Sequence, residues 1–423
     1  MKKTIIFLVV FALTMSVGAA LAQNKTKVRF WTGPAAHKME AWKKMVDEWN
    51  RTHPEIYLDW KATPAGISSE EAVLTAIATG TAPDLYSNTF IGFAETLAKS
   101  RAAVPLEEFP GFEDVIKSRK MANIMGNYQS RDGHIYLLPW YANAVMWAYG
   151  AELLKEAGLE KPPRTYGELL ALAPKVVIPK KRWLAYLSPE AKWWHIWWTY
   201  MHLYYAAGEG RPFVEKNQAT FVNEAGVASA KFAAELFAKE FAPLMPISDP
   251  VPKGKVLTGF MGPFWVRPWK QNYPEFEYLV TAPPVPDGYP VDKPIYTLAD
   301  AKGIVMLAQA KPEAREAAWE FMQWLYTTPE NDLIWLELDG EPSAREDLLT
   351  NPFFQDFFRA NPKVRQFAEE VAFAVPPPPH PEIVEIQTTF MKEAWQPLIY
   401  GKKTPEQALK DAKEAIDGLI APR

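Results

Sequence analysis

The order of apolar patterns after residue 26 is the feature that most limits how this chain can fold. Short alternating apolar runs, typical of strands, take turns with segments whose apolar residues recur every three or four positions, as on a helix. The sequence predicts strands at 27–31 and 56–60, helices at 41–50 and 70–79, and a third strand that begins around 83–86. Because strands joined through helices lie parallel in one sheet, this order indicates an α/β fold with an open sheet.

The carboxyl ends of these strands are the first place where function is expected. An open parallel sheet binds ligands in the crevice beyond the carboxyl ends of its strands. Trp31 ends the first predicted strand and Thr32 follows it, and Ser87 and Asn88 follow the start of the third. These four residues are candidate ligand contacts. Core packing is the alternative for Trp31, and an Asx turn is the alternative for Asn88.

The chain is long enough for a second folded unit. At 423 residues, 48 % of them apolar, it can bury more than one core, and two lobes are expected. The next segments are predicted to be a crossover between lobes at 135–147, a helix that begins at the capping box 165–168 and runs through 172, and an aromatic helix at 193–205. They are followed by a strand at 296–307, a helix at 312–326, an extended strap at 375–381 and a last helix capped at 404. An α/β unit therefore returns after the second lobe.

The first 22 residues have the pattern of a secretory signal peptide. Lys2 and Lys3 precede a 14-residue apolar run without a charge, and a small-x-small site at 20–22 precedes Gln23. The run is shorter than the roughly 18–20 apolar residues that span a bilayer. The chain has no cysteine, which excludes a lipid anchor at the cleavage site, disulfides and cysteine nucleophiles. We predict a mature protein that is free in an extracytoplasmic space.

Charge and motif content exclude several classes of function. A net charge of −4 makes nucleic acid a poor partner. The six histidines have no HxxxH or HExxH spacing, and the chain has no Walker or dinucleotide-type glycine loop and no GxSxG elbow. We therefore expect no metal, no cofactor and no catalytic residue of these types. An acidic pair for glycoside hydrolysis stays open, because its members can lie far apart in the sequence.

Eight short segments, taken in order behind the signal peptide, resemble a known family. They are VRFW (28–31), GTAPDL (80–85), LPWY (138–141), PRTYGEL (163–169), GPFW (262–265), AWEF (318–321), GEPS (340–343) and GKKTPEQAL (401–409). Their order is similar to that in the extracellular solute-binding proteins of sugar-type ABC importers, the maltose-binding-protein-like family. The resemblance covers nearly the whole mature chain.

The resemblance implies a two-lobe α/β clamp, in which each lobe is a mainly parallel sheet flanked by helices and the chain crosses a hinge three times. The crossings are expected near 141–145, 298–302 and 338–342. They divide the chain into a first lobe of 23–141 and 303–338 and a second lobe of 142–302 and 339–423. Where the family often has two glycines, this chain has Ala301-Lys302-Gly303, so a side chain faces that turn.

The resemblance also implies a binding protein and no enzyme. Such a protein captures a carbohydrate or related polyol between its lobes in the periplasm and delivers it to the permease subunits of an importer; a monomer is expected. Two alternatives stay open. One is a secreted glycosidase or polysaccharide lyase, which product formation would reveal. The other is a binding protein of this fold for a non-sugar solute, such as a polyamine, a metal chelate or a phosphorylated polyol.

Aromatic residues supply the expected sugar-stacking rings. A sugar has weakly apolar faces and a rim of hydroxyls, so its site needs flat rings with polar groups at their edges. Four of the 17 tryptophans lie between 193 and 198, and a helix cannot turn all four toward one cleft, because successive residues point about 100° apart. We predict Trp194 as the stacking ring, with Trp193 as its substitute. In the GPFW segment, Trp265 is preferred over Phe264.

Polar candidates lie on the expected hinge crossings. Tyr141 and Asn143 belong to the first crossing, which faces the cleft in the family. Asp300, on the second, can accept two sugar hydroxyls, with a helix cap or an ion pair as the alternative. Arg345 follows the third crossing and is a candidate as well, although a role in bracing that hinge is the preferred interpretation.

Overall fold

The computed structural model describes residues 25–65 and 68–421. The predicted signal peptide and its cleavage site lie outside the described residues. The strands are β1 (Thr26–Thr32), β2 (Ile56–Ala62), β3 (Leu85–Thr89), β4 (Leu137–Ala144), β5 (Met146–Gly150), β6 (Trp183–Tyr186), β7 (Val214–Glu215), β8 (Gln218–Ala219), β9 (Val256–Met261), β10 (Tyr278–Thr281), β11 (Thr297–Met306) and β12 (Ala374–Val375). They form two main sheets and the short hairpin β7–β8.

Helices cover both main sheets. They are α1 (Ala36–Thr52), α2 (Ser69–Ala78), α3 (Ile91–Lys99), α4 (Phe112–Ser118), α5 (Ala122–Met125), α6 (Ala151–Glu156), α7 (Tyr166–Leu170), α8 (Ala173–Val176), α9 (His202–Ala207), α10 (Glu224–Ala238), α11 (Val266–Asn272), α12 (Pro312–Thr327), α13 (Pro329–Leu338), α14 (Gln355–Ala360), α15 (Pro362–Glu370), α16 (Ile383–Phe390), α17 (Gln396–Ile399) and α18 (Pro405–Ile420). Two π-helical turns, Trp197–Met201 and Met391–Trp395, precede α9 and α17. Among these helices, none has both the length and the apolar character needed to cross a bilayer.

The first sheet contains the predicted parallel strands. Its order is β12–β11–β3–β1–β2, with β4 next to β11, and β1 pairs in parallel with both β2 and β3. α1 buries Trp42, Met45, Val46 and Trp49, whose spacing had predicted a helix with one apolar face. The predicted return of the chain is confirmed, because β11 joins this sheet and α12 packs on β1.

The second sheet corrects one expectation. Its order is β10–β5–β9–β6; β6 and β9 are parallel, but β5 is antiparallel to both of its neighbours. The expectation of a mainly parallel sheet is therefore wrong for this lobe. Only Val145 separates β4 in the first sheet from β5 in the second, so β5 continues the strand that crosses between the sheets.

Local signals predicted the helix starts better than the helix interiors. Thr165 and Glu168 form the expected capping box, but α7 ends two residues early. Pro174 lacks the N–H that would bond to the carbonyl of Leu170, which ends the helix there. Thr404 caps α18 as predicted, with its side chain accepting a hydrogen bond from Gln407 N.

The aromatic helix and the strap also show more than their sequences predict. The expected helix at 193–205 contains the π-helical turn and ends at Gly208. Val375 at the start of the strap ends β12, residues 376–380 have no regular secondary structure, and Pro377 and Pro378 are buried. The strap is therefore packed against its neighbours.

Many of the tryptophans serve the core. Seven are almost completely buried: Trp42, Trp49, Trp140, Trp147, Trp197, Trp335 and Trp395. Trp42, Trp140 and Trp335 contact one another with ring centroids 5.2 to 6.0 Å apart. The abundance of tryptophan is in large part a packing feature, and only a subset of the rings is placed for ligand contact.

The three expected hinge crossings lie side by side. β4 pairs antiparallel with β11, and on its other edge Ala142 N donates a hydrogen bond to Pro342 O at 3.0 Å. Gly303 allows the close approach of β11 to β4. A Cβ atom at this position would lie 1.9 Å from Leu138 O, so no other residue can be placed there without moving a strand.

Candidate functional site

Aromatic rings from distant segments of the chain meet beyond the carboxyl ends of β1 and β3, where the sequence predicts a ligand crevice. Phe90, which directly follows β3, lies 5.2 Å from the Trp197 ring and 5.7 Å from the Trp193 ring. His37, near the start of α1, stacks on Phe264 with ring centroids 5.5 Å apart. We call these five residues the interlobe aromatic contact. Segments after β1 and β3 provide its first-lobe half, and the segments at 193–197 and 262–265 provide the other half.

Two members of this contact, His37 and Phe90, were not identified from the sequence. Both lie just beyond the carboxyl ends of β1 and β3. The rule that ligands bind beyond the carboxyl ends of parallel strands, which pointed to Trp31 and Asn88, therefore indicates the right region. It does not tell which residue after a strand contacts the other segments.

All four predicted turn residues lie within strands of the first sheet. Thr32 is fully buried, and its Oγ1 accepts a hydrogen bond from Trp60 Nε1 at 3.2 Å. Ser87 is buried within β3. Trp31 is half-buried, and Lys61 Nζ lies 4.3 Å from its ring centroid. None of these three residues belongs to the interlobe aromatic contact.

Asn88 has a backbone conformation that is uncommon for a residue other than glycine. Its φ is 80°, and its Nδ2 donates a hydrogen bond to Ser69 Oγ at 3.1 Å. Gly33 provides the space for its side chain, because a Cβ atom at position 33 would lie 2.7 Å from Asn88 Cγ. Backbone strain of this kind is concentrated at functional sites.

The two rings of the GPFW segment have different surroundings. Phe264 stacks on His37 at the start of α1. Trp265 stacks on Trp269 at 5.6 Å and, with Trp198, lines a cavity of about 300 Å³ beside β6 and β9. The preferred residue of the sequence analysis, Trp265, is thus a neighbour of the interlobe aromatic contact, and Phe264 is the member.

The tryptophans at 193–194 show the same division. Trp193 contacts Phe90, whereas Trp194 is half-buried beside it, with the two indole centroids 5.5 Å apart. Helical spacing could not predict this arrangement, because residues 193 and 194 lie in a turn before the helix and a π-helical turn follows.

A buried polar group lies at the hinge crossings. Lys38 Nζ lies 2.7 Å from Glu341 Oε2 and donates a hydrogen bond to Tyr141 Oη at 2.5 Å. Asn143 Nδ2 donates to Glu341 Oε1 at 3.1 Å. All four residues are buried, and we call them the hinge polar cluster. α1 provides Lys38, β4 provides Tyr141 and Asn143, and the segment after α13 provides Glu341.

Electrostatics favour an ion pair between Lys38 and Glu341. Burial by itself would lower the pKa of Lys38, but the carboxylates of Glu341 and Asp339 outweigh it and raise this pKa. Burial and Asp339 also raise the pKa of Glu341, which opposes its ionisation. The ion pair is favoured because the ammonium lies 2.7 Å from the carboxylate and is hydrogen-bonded to Tyr141 as well.

His37 is neutral at pH 7 although a carboxylate is near. Its Nε2 lies 3.5 Å from Asp339 Oδ1. Burial is the largest effect and lowers the pKa of His37 to about 4. The imidazole that stacks on Phe264 is therefore an uncharged aromatic ring with a polar edge.

β11 turns its polar side chains toward the hinge polar cluster. Asp300 pairs in register with Asn143, and Lys302 Nζ lies 3.7 Å from Asp300 Oδ1 and 5.6 Å from the centroid of the Trp197 ring. The alternate residues Ala299 and Ala301 line a second cavity of about 630 Å³. Since successive residues of a strand face opposite sides, this cavity lies on the other face of the crossings.

Arg345 lines this second cavity and is held by its own ion pairs. Its Nη1 lies 3.0 Å from Asp332 Oδ2, and its Nε lies 2.9 Å from Asp347 Oδ1. These two ion pairs fit the preferred interpretation from the sequence, in which Arg345 braces the third expected crossing.

Several buried polar atoms around the two clusters have no hydrogen-bond partner among the described residues. They include Nε1 of Trp193, Nε1 of Trp197, Nε2 of His37, Oδ1 of Asn143 and Oδ1 of Asp300. Buried polar groups normally have partners, so these donors and acceptors are available to a polar ligand. Within the described ranges, no three His, Asp or Glu side chains are grouped so that they could hold a metal ion.

Comparison with known proteins gives a consistent family and fold. Residues 44–365 match the family described as bacterial extracellular solute-binding protein. The chain is 23 % identical over 370 residues to the maltotriose-binding protein of Pyrococcus abyssi. The aligned region covers 84 % of this chain and 74 % of that protein.

Solved structures share the fold over nearly the whole chain. An uncharacterized protein of Listeria monocytogenes EGD-e is 34 % identical, with a TM-score of 0.79 and coverage of 94 % of this chain and 100 % of that one. The ABC substrate-binding protein of Listeria monocytogenes in complex with cycloalternan is 19 % identical, with a TM-score of 0.80 and coverage of 95 % and 100 %.

Proposed function

Because the chain belongs to the bacterial extracellular solute-binding protein family, we propose that it is the substrate-binding component of a sugar-type ABC importer and holds a carbohydrate or related polyol between its lobes. The single observation that carries the proposal is the interlobe aromatic contact, in which the indole N–H groups of Trp193 and Trp197 have no partner among residues 25–65 and 68–421. Aromatic faces stack on the C–H faces of sugars, and free donors and acceptors meet their hydroxyls.

The ligand favours closure by touching both lobes. The proposed lobes are 23–141 with 303–338, and 142–302 with 339–423. They move about the three adjacent crossings, and a ligand shifts the open–closed equilibrium by its differential affinity for the closed form. No bond of the ligand is made or broken.

We assign the ligand contacts by their place in the two clusters. Phe264 and Trp193 are the proposed stacking rings, with Trp194 and Trp265 beside them. The proposed polar contacts are Asn88, Tyr141, Asn143 and Asp300. Contacts by Trp31, Thr32, Ser87 and Arg345 remain predictions from the sequence alone.

The cellular setting of the proposal follows from the N-terminal pattern and the family. We propose that residues 1–22 direct export and are removed, which leaves a monomeric mature protein in the periplasm without a lipid anchor. Its partners are then the permease subunits of the importer, which receive the closed, loaded form.

A thermal-shift screen of the mature protein tests the proposal. The panel contains maltotriose, cycloalternan, monosaccharides, polyols, sn-glycerol 3-phosphate, polyamines and metal chelates. A ligand at 100 times its dissociation constant stabilises the folded protein by about 2.7 kcal/mol, and we expect a neutral sugar or polyol to do so. A response to the phosphate, amine or chelate probes alone would overturn the carbohydrate assignment.

A second measurement separates binding from catalysis. The sugar with the largest thermal shift is incubated at high protein concentration, and the products are analysed by mass spectrometry. We expect full recovery of the unchanged sugar. Shortened or unsaturated products would replace the proposal by a glycosidase or a lyase.

A further inference from the structure

The amide of Asn143 is oriented by a residue from a distant part of the chain. Asn143 is fully buried, and its Nδ2 donates a hydrogen bond to Glu341 Oε1 at 3.1 Å. Its Oδ1 has no partner among the described residues. An amide has one acceptor side and one donor side, so the bond to a carboxylate decides which side faces away. Glu341 therefore presents the Asn143 oxygen as a free acceptor.

Glu341 is in turn held by Lys38. The ammonium lies 2.7 Å from Glu341 Oε2, while Oε1 is the acceptor for Asn143. Lys38 is further fixed by the hydroxyl of Tyr141 at 2.5 Å and lies 3.9 Å from the centroid of the same ring. The two oxygens of the Glu341 carboxylate thus have different partners, Lys38 for Oε2 and Asn143 for Oε1. Through these contacts α1 is joined to the first and third crossings.

We infer that Lys38 and Glu341 are positioning residues for ligand binding, which hold the Asn143 amide so that its oxygen accepts a hydrogen bond from a ligand hydroxyl. This inference rests on the proposed function. A buried ion pair is weak support for stability as such, since apolar residues of similar size often replace one at no cost, whereas removal of one partner leaves an unpaired buried charge. Orientation of Asn143 gives this pair a role beyond stability.

Two double variants that differ only in the acceptor at position 341 test the inference. Lys38→Met/Glu341→Gln and Lys38→Met/Glu341→Leu both remove the two charges together. Gln can still accept the Asn143 N–H, and Leu cannot. With the best-binding panel sugar, titrated by calorimetry, we expect the Leu variant to bind at least tenfold more weakly than the Gln variant. Lys43→Met, at an exposed pair with Asp47, is the control that leaves binding unchanged.

A charge-conserving exchange tests the same relationship without removing Lys38. Asn143→Asp alone places two carboxylates against each other and should abolish binding. When Glu341→Gln is added, the amide at position 341 donates and one carboxylate oxygen at position 143 accepts. The other oxygen at position 143 stays free for the ligand, so the affinity should recover at least tenfold. Equal affinities of the Gln and Leu variants, or no recovery in the exchange, would overturn the inference.

The side-chain amide of Asn143 also gives a signal without ligand. In ligand-free protein, its two N–H resonances, assigned with Asn143→Asp, should move in the Leu variant and stay near their parental positions in the Gln variant. This readout is independent of the carbohydrate screen. A parent protein that binds no sugar or polyol would refute the proposed function, whereas unchanged amide resonances in the Leu variant would refute the inference itself.

Discussion

The imidazole of His37 lies almost parallel to the ring of Phe264, with centroids 5.5 Å apart and an interplanar angle of 20°. The two residues belong to different proposed lobes, so their stacking depends on closure. The pair is therefore a direct reporter of how the two proposed lobes are placed.

Phe264→Ala should weaken sugar binding without unfolding the protein. By analogy with other ring ligands, loss of one stacking ring costs about 1–3 kcal/mol of binding free energy. This corresponds to a dissociation constant roughly 10- to 100-fold higher. Calorimetric titration measures the affinity, and the unliganded melting temperature should change little. Phe353→Ala, at a ring that is 41 % exposed, is the matched control. Parental affinity of the Phe264→Ala protein would contradict the assignment.

Trp265→Ala should behave differently from Phe264→Ala. The Trp265 ring is packed between Phe260 at 5.3 Å and Trp269 at 5.6 Å. We expect its removal to lower the unliganded melting temperature as well as the affinity, because truncation of a packed tryptophan costs about 3–5 kcal/mol when the site is fully buried. An affinity loss larger than that of Phe264→Ala, with an unchanged melting temperature, would restore Trp265 as the principal stacking ring.

Gly33→Ala should displace the side chain of Asn88. The added Cβ would lie 2.7 Å from Asn88 Cγ, so the amide has to leave its place beside Ser69. We expect the affinity for sugar to fall by about two- to tenfold, as for the loss of one hydrogen bond of about 0.5–1.5 kcal/mol. Gly418→Ala, where no atom lies within 4 Å of the new Cβ, is the control. Equal affinities of the two variants would remove Asn88 from the proposed site.

Arg131→Ala should speed the release of ligand. Arg131, in the proposed first lobe, donates to Lys216 O at 2.9 Å and to Asn217 Oδ1 at 3.3 Å in the proposed second lobe. Since these two bonds join the proposed lobes, their loss should raise the dissociation rate by roughly five- to 150-fold, at about 0.5–1.5 kcal/mol for each hydrogen bond. Stopped-flow fluorescence measures the rate. Lys231→Ala, whose partner Glu406 lies in the same proposed lobe, should not change it.

The free energy of unfolding should fall as the pH drops from about 6.5 to about 4. Burial lowers the pKa of His195 to about 4 and that of His202 to about 3. The unfolded chain binds these protons near its own pKa of about 6.5, so acid favours unfolding by about 1.4 kcal/mol per pH unit for each such histidine. The stability that neutral His195 and His202 contribute is present above pH 6.5 and is lost progressively below it.

Urea unfolding at intervals between pH 7 and pH 4 measures this dependence. His195→Gln should make the slope smaller, because the amide has no proton to gain. The pKa of His134 is raised by its hydrogen bond to Glu107, so His134→Gln should not make the slope smaller. A parental slope in the His195→Gln protein would show that His195 is not neutral in the folded state.

Much of the first lobe follows from local patterns in the sequence. The alternating order of β1, α1, β2, α2 and β3 was predictable because each element has its own periodicity and its own end signals. The cap of α18 at Thr404 was predictable for the same reason. The crevice beyond β1 and β3 followed from the strand order alone, and it is where Phe90 and His37 meet the second lobe.

Only the tertiary structure decided which side chains complete the site. Lys38 has the sequence environment of an exposed helix residue, and it is buried because Glu341, from a distant segment, supplies the opposite charge. The choice of Phe264 over Trp265 depends on the position of the other lobe. Local sequence encodes periodicity and caps, whereas burial of a charge and the facing of a ring depend on partners that only the folded chain brings together.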